Sequence, residues 1–234
     1  MSWKGNLNMH PFVNESCKYI DSFIDNCCKT DKIPYIKKGI LNIEAFYWWS
    51  LVGYYKPDII LESGVAHGRS SEVLSRAQVF FNVQHYYAFD VSSEYYSSVK
   101  IKLQKYKCIY KIEDSIKGFK DIYNKYPTSK FLVIIDGPKS TGPLSKLLKT
   151  ISKFDNVLAI GCHDCYDGGQ IRKTLIKKHE VYFPKKQLVF TSKEMNKDIS
   201  HLNNFIIEDI DRNNKEQKKQ ELLNLSNYIG MYLG

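Results

Sequence analysis

Short, nearly unbroken apolar runs alternate along the chain with segments whose apolar residues recur every three or four positions. That is the pattern of buried strands separated by amphipathic helices. Asp58-Ile59-Ile60-Leu61, bounded by Pro57, reads as the first strand and stops at Glu62. A loop with Gly64, Ala66 and Gly68 follows, and a helix starts at Ser70 or Ser71, both good N-caps, running through Val73, Leu74, Ala77 and Phe80. Further strands are predicted at His85–Asp90, near Lys107–Ile112, at Phe131–Ile135, at Val157–Gly161, within Lys185–Ser192 and at Tyr228–Leu233. Helices are predicted over Phe12–Cys28, Gly39–Tyr55, the segment carrying Tyr95, Val99, Ile101 and Leu103, then Ile116–Tyr123, Leu144–Phe154 and Ile171–Lys178. Phe131–Ile135 is the most apolar run and the candidate central strand, buried on both faces. Strand, small-residue loop, helix is the first turn of a doubly wound α/β sheet, where the backbone passes close to a ligand. The domain division is a helical prefix over residues 1–38 and one sheet domain over 39–234, with a polar insert at 193–225. The tryptophans Trp48 and Trp49, at helical spacing, read as core packing.

Composition changes this picture little. The 234 residues, 43% hydrophobic and 25% charged, suit one globular domain with a substantial core. No apolar run approaches the roughly 20 residues of a membrane span, and the first twenty residues have no signal-peptide core. No membrane association and a cytoplasmic location are expected. The formal charge of +9 comes from lysines spread along the whole chain rather than from one patch, so no nucleic-acid partner is expected. The six cysteines follow no regular framework and reduced thiols are expected; Cys162-His163-Asp164-Cys165 lacks the second pair of a zinc site.

The loop narrows the ligand. A dinucleotide fingerprint is Gly-x-Gly-x-x-Gly, whereas here the order is Glu62-x-Gly64-x-Ala66-x-Gly68. A carboxylate at the strand tip repels a pyrophosphate and favours a ligand with positive charge, such as the sulfonium and ammonium of S-adenosylmethionine. The ligand's own carboxylate would sit against the helix N-terminus at Ser70. The loop resembles motif I of the class I S-adenosylmethionine-dependent methyltransferases, acidic-x-Gly-x-Gly-x-Gly, with Ala66 in place of the middle glycine. Asp90, at the tip of the second strand, is then placed to accept hydrogen bonds from ribose hydroxyls; its alternative role is to cap the turn at Ser92 and Ser93. Asp114, with Ser115 beside it, is the candidate for the adenine amino group, or the N-cap of the next helix, or both.

The central strand delivers Asp136-Gly137-Pro138-Lys139 and the next delivers Cys162-His163-Asp164 to the same sheet edge. A strand ending in Asp-Gly, a helix, then a strand ending in His-Asp resembles the small-molecule O-methyltransferases of the catechol, macrolide-sugar and cephalosporin-hydroxylase-like group, over about residues 40–180. The resemblance implies a single Rossmann-like sheet of seven strands, mostly parallel with an antiparallel final strand, and helices on both faces. It implies methyl transfer to a hydroxyl of a small molecule, a sugar or glycan-related metabolite, hence a place in saccharide biosynthesis. It also implies a Mg²⁺ held by Asp136, His163 and Asp164. Two departures stand out: His163 replaces an acid, and Pro138-Lys139 follows where a further aspartate is common. Mg²⁺ prefers oxygen ligands, so the histidine weakens the magnesium reading.

His163, with an ordinary pKa near neutrality, is the candidate base. Asp136 would hold the substrate hydroxyl, the metal, the cofactor or His163, and Lys139 would support an alkoxide or an anionic substrate group. The insert is long enough for a substrate-facing lid or a homodimer contact. Competing readings are a nucleotide-cofactor oxidoreductase, a binding protein without catalysis and an RNA methyltransferase. The first needs a Tyr-x-x-x-Lys dyad late in the sheet, and the two matches, Tyr96 to Lys100 and Tyr182 to Lys186, are poorly placed.

Overall fold

The computed structural model describes residues 10–29, 40, 42–166, 168–190 and 230–233. Seven strands are β1 (Ile59–Ser63), β2 (His85–Asp90), β3 (Cys108–Ile112), β4 (Phe131–Ile135), β5 (Val157–Cys162), β6 (Gln187–Phe190) and β7 (Gly230–Leu233). They form one sheet in the order β3-β2-β1-β4-β5-β7-β6. The first five pair in parallel, and β7 runs antiparallel to both of its neighbours. This is the expected doubly wound architecture with its antiparallel last strand. Every residue of β1 and β4 is buried, as a sheet covered on both faces requires, whereas the edge strand β3 is half exposed.

One face is covered by α3 (Asn42–Tyr55), α4 (Arg69–Phe80) and α5 (Tyr96–Leu103), the other by α6 (Ser115–Lys125), α7 (Thr141–Ile151) and α8 (Gln170–Tyr182). The predicted helix at 12–28 is not uniform. It consists of α1 (Pro11–Glu15), a 3₁₀ turn (Ser16–Tyr19), α2 (Ile20–Phe23) and a π-helical stretch (Ile24–Lys29). Phe12, Ile20, Phe23, Ile24 and Cys27 are nevertheless all buried in the core that α3 lines. Helix α3 is apolar on every side, because it lies between this prefix and the sheet. Trp48 and Trp49 are fully buried, and Trp48 lies directly on Gly161, where an added Cβ would meet its Cζ3 at 2.3 Å. Trp49 satisfies its indole N–H on Ser22 Oγ at 3.0 Å.

Three elements have ends that differ from expectation for local reasons. Helix α7 starts at Thr141 rather than Leu144, since Pro143 falls in the first turn, where no amide donor is needed. It ends at Ile151, and Phe154 belongs to the turn that follows. Helix α4 is preceded by Gly68 in the left-handed conformation (φ 74°), so neither Ser70 nor Ser71 is its N-cap. Strand β1 continues to Ser63, and this matters most: alternation puts Glu62 on the same face as Ile60, towards α3 and α4. The insert 193–225, Thr191, Ser192 and the start of the last predicted strand lie outside the described residues. Among the described residues no helix is long and apolar enough to cross a membrane.

Parallel pairing brings the C-terminal ends of β1, β2, β4 and β5 to one edge. Ser63 pairs with Phe89 and Ile135, and Ile135 with Cys162. The next residues along each strand, Gly64, Asp90, Asp136 and His163, therefore meet above that edge.

Candidate functional site

The loop after β1 owes its shape to three left-handed residues at alternate positions: Gly64 (φ 85°), Ala66 (φ 44°) and Gly68 (φ 74°). Only the middle one carries a Cβ, at a cost of order 1–3 kcal/mol. Asp90 holds the loop in place. Its Oδ2 accepts from the amides of Val65 (2.8 Å) and Ala66 (2.9 Å), and its Oδ1 from that of Ser92 (2.9 Å). The turn-capping alternative is thus realised; Oδ2 has both lone pairs spent on the loop amides, and Oδ1 retains one for a ligand.

Gly64, Asp90, Asp114, Ser115 and Gly137 line a cavity of about 290 Å³ whose walls are Val91, Ile116, Pro138, Pro143 and Leu147. The volume is at the lower end of the roughly 300–1,000 Å³ of small-molecule sites, and apolar walls with a few polar groups at one side are their usual make-up. At its base Ser63 Oγ donates to the Gly137 carbonyl (2.5 Å) and lies 2.6 Å from Ser115 Oγ, tying β1, β4 and α6 together. Asp114 is the N-cap of α6: its Oδ1 accepts from the amides of Ile116 (2.8 Å) and Lys117 (3.2 Å).

Glu62 is not at the rim. It is fully buried beneath the loop, its Oε2 accepting from Ser71 Oγ (2.5 Å) and from the Tyr86 hydroxyl. The expected contact between this carboxylate and a cationic ligand is therefore corrected: the extra strand residues turn the side chain into the core. Ser70 is buried with it, and neither it, Ala66, Gly68 nor Asp136 lines the cavity. Burial pushes the Glu62 carboxyl up to about 7, against the lowering effect of the hydroxyls of Ser70, Ser71 and Tyr86. An acid raised in this way stabilises the fold at low pH. As pH climbs from 4.5 to about 7 the unfolded chain ionises while the folded one does not, so about 3 kcal/mol is lost over that window. Glu62→Gln is expected to remove this slope and to be more stable than the parent above pH 7. Denaturant titrations across the window check it, and parallel pH profiles for the two proteins would refute it.

Beside the cavity lies a cluster of five charged side chains. His163 Nε2 is 3.0 Å from Glu44 Oε1, while its Nδ1 is 2.9 Å from Asp136 Oδ1 and 3.3 Å from Asp164 Oδ1. Lys139 Nζ pairs with Asp136 and lies 2.5 Å from Asp164 Oδ2. Glu44, on α3, is only 2% exposed. Burial disfavours charge on His163, but Glu44 and Asp136 outweigh it and hold the ring as an imidazolium far above its usual range. Burial likewise opposes ionisation of Asp136 and Asp164, yet His163 and Lys139 keep both carboxyls below the ordinary carboxylate value. Lys139 is raised by the same two aspartates against the effect of its burial.

Two consequences follow. An imidazolium has no lone pair, so His163 is not the free base that its residue type suggests; the partner that changes its chemistry, Glu44, comes from a distant helix. One ligand atom from each of Asp136, His163 and Asp164 falls within 4.8 Å of the others, but the donor set does not fit a resident Mg²⁺. Both ring nitrogens face carboxylate oxygens, and the Lys139 ammonium already bridges the two aspartates. Glu44 was missed for want of a motif. The available signal was that it is the only charged residue in Asn42–Tyr55.

The remaining motifs do not line the cavity. Cys162 and Cys165 are buried free thiols raised chiefly by that burial, Cys165 to about 12. Lys100 sits over the Tyr96 ring, 5.3 Å from its centroid, on α5 beside the edge strand; Lys186 donates to the Val157 carbonyl at the opposite end of β5. Neither dyad lines the cavity.

No family model and no curated protein sequence matches the chain. Solved structures do. The O-methyltransferase from Bacillus cereus in complex with S-adenosylhomocysteine (SAH) is similar at a TM-score of 0.57 and 10% identity, over 98% of this chain and 93% of that one. Cofactor-bound Rv0187 from MTB has a TM-score of 0.56 and 12% identity, over 97% and 91%. The SAH-bound Podospora anserina methyltransferase PaMTH1 has a TM-score of 0.54 and 13% identity, over 78% and 83%. At such identities the shared property is the fold, the Rossmann-like sheet with its antiparallel last strand.

Proposed function

We propose that the chain is an S-adenosylmethionine-dependent O-methyltransferase that moves a methyl group to a hydroxyl of a small molecule. The observation that carries this reading is the cavity, placed where ligands of doubly wound sheets bind and flanked by Asp90 and Asp114 at the tips of β2 and β3. Its apolar walls suit a flat heterocycle. Asp90 is assigned the ribose hydroxyls. Asp114, with Oδ1 spent on the cap, offers Oδ2 to the adenine amino group, with Ser115 beside it. The backbone at Gly64 approaches the amino-acid end of the donor.

Methyl transfer from a sulfonium to a hydroxyl is an in-line displacement that also releases one proton. Alignment is the larger contribution, of the order of 7 to 11 kcal/mol for well-oriented partners. With His163 charged and both aspartates already paired, the cluster offers no free base: Asp164, whose side chain is 35% exposed against 19% for Asp136, orients the acceptor hydroxyl, whose proton passes to solvent water as the new C–O bond forms. The Lys139 ammonium, half exposed, stabilises the oxygen as it gains charge. A saccharide or glycan-related hydroxyl is the acceptor to test first, on the sequence resemblance.

Calorimetry with SAH tests the reading. Binding is expected, and Asp90→Ala should weaken it at least about tenfold, since a charge-assisted bond to ribose at about 1.5–3 kcal/mol is lost along with the loop's anchor. Absence of binding by the unaltered protein overturns the proposal; binding without turnover of any hydroxylated acceptor confines it to recognition of the cofactor.

A further inference from the structure

We infer that Lys139 is a built-in cation for the Asp136/Asp164 pair, occupying with its own ammonium the place a divalent metal would take and making the site refuse one. Two aspartates converge at the tips of neighbouring parallel strands, β4 and β5, with oxygens close enough to share one cation. The group between them is Lys139 Nζ, paired with Asp136 and 2.5 Å from Asp164 Oδ2. It reaches them from only three residues beyond Asp136, so the tether is short. A hard divalent ion asks for several oxygen donors in a regular shell. Here Asp136 Oδ1 serves both Lys139 and His163, and Asp164 divides its two oxygens between the same pair.

His163 adds to the exclusion. Its Nε2 faces Glu44 at 3.0 Å, and its Nδ1 faces Asp136 at 2.9 Å with the Lys139 ammonium 3.3 Å away, so the one nitrogen near the aspartates already has both groups against it. The Lys139 ammonium meets the charge of Asp136 and Asp164 from within the chain, and removing it leaves the two aspartates as a cation site in search of an occupant. The inference is independent of the proposed methyl transfer, since it concerns the free protein and the metal alone.

The test is calorimetric titration of Mg²⁺ and of Mn²⁺ into the parent, Lys139→Ala and Lys139→Met, with circular dichroism to verify folding. Methionine keeps the length of the stem, should alanine leave the loop unfolded. The parent is expected to show no binding at millimolar metal, whereas the variants gain affinity by at least about tenfold. A second change, Asp164→Asn, should abolish that gain and so locate the ion between the aspartates. Metal binding by the parent overturns the inference, and so does a failure of both folded lysine variants to bind. Neither result touches SAH affinity, so loss of this inference and loss of the methyltransferase reading are told apart.

Discussion

Gly64→Ala is expected to abolish measurable SAH binding, a loss of at least about a hundredfold, and to cost about 3 kcal/mol of stability. Two effects act at once. The residue lies at φ 85°, a conformation that strains any side chain. An alanine Cβ would also stand 2.6 Å from the Gly137 backbone nitrogen and 2.9 Å from the Asp136 carbonyl carbon. These neighbours are main chain and cannot rotate aside. They are also anchored: the amides of Asp136 and Gly137 both donate to the Ser63 carbonyl, at 2.8 and 2.9 Å. Relief therefore requires the tips of β1 and β4 to separate, which moves Ser63, Gly64 and Gly137 together and deforms the cavity they line. Gly142→Ala, where an added Cβ has nothing within 4 Å, is the control. Thermal melts and SAH calorimetry on the two variants check the expectation; near-parental affinity in Gly64→Ala would show that the loop does not approach the ligand.

How much of this could be read from the sequence depends on whether the signal was local. The strands were legible because Ile59–Leu61, Phe131–Ile135 and Val157–Gly161 are buried on both faces and so are apolar without interruption. The loop was legible because left-handed φ values at residues 64, 66 and 68 demand small residues at alternate positions. The direction of Glu62 was not. It hinges on whether β1 ends at Leu61 or Ser63, and each residue of strand reverses which face a side chain meets. The charge state of His163 was illegible for a different reason. Its neighbours in sequence, Cys162 and Asp164, say little about a partner that arrives from α3, more than a hundred residues earlier. Likewise Pro138-Lys139 marked a departure from the expected metal set, but only the fold shows the lysine closing back onto both aspartates.

Glu44→Ala is expected to cost about 3 to 5 kcal/mol of stability, the range for removing one partner of a buried ion pair. The carboxylate is 2% exposed and lies 3.0 Å from His163 Nε2, and its loss leaves that side of a buried imidazolium without its counter-charge. Asp136 and Asp164 remain on Nδ1, which keeps the cost towards the lower end. Glu44→Gln retains an acceptor for Nε2 but no charge and should lose less. The dependence on pH separates a charge effect from a packing effect. His163 has a folded pKa raised above its ordinary 6.5. The stabilisation from its pairing is then complete below 6.5 and declines as pH rises, because the unfolded histidine gives up its proton while the folded one keeps it. The gap between parent and Glu44→Ala should accordingly be widest below pH 6.5 and narrow towards alkaline pH. Chemical denaturation of parent, Glu44→Ala and Glu44→Gln on both sides of that value measures it. A gap that does not change with pH would mean that α3 contributes shape to the site, and that the charge on His163 is maintained by the two aspartates alone.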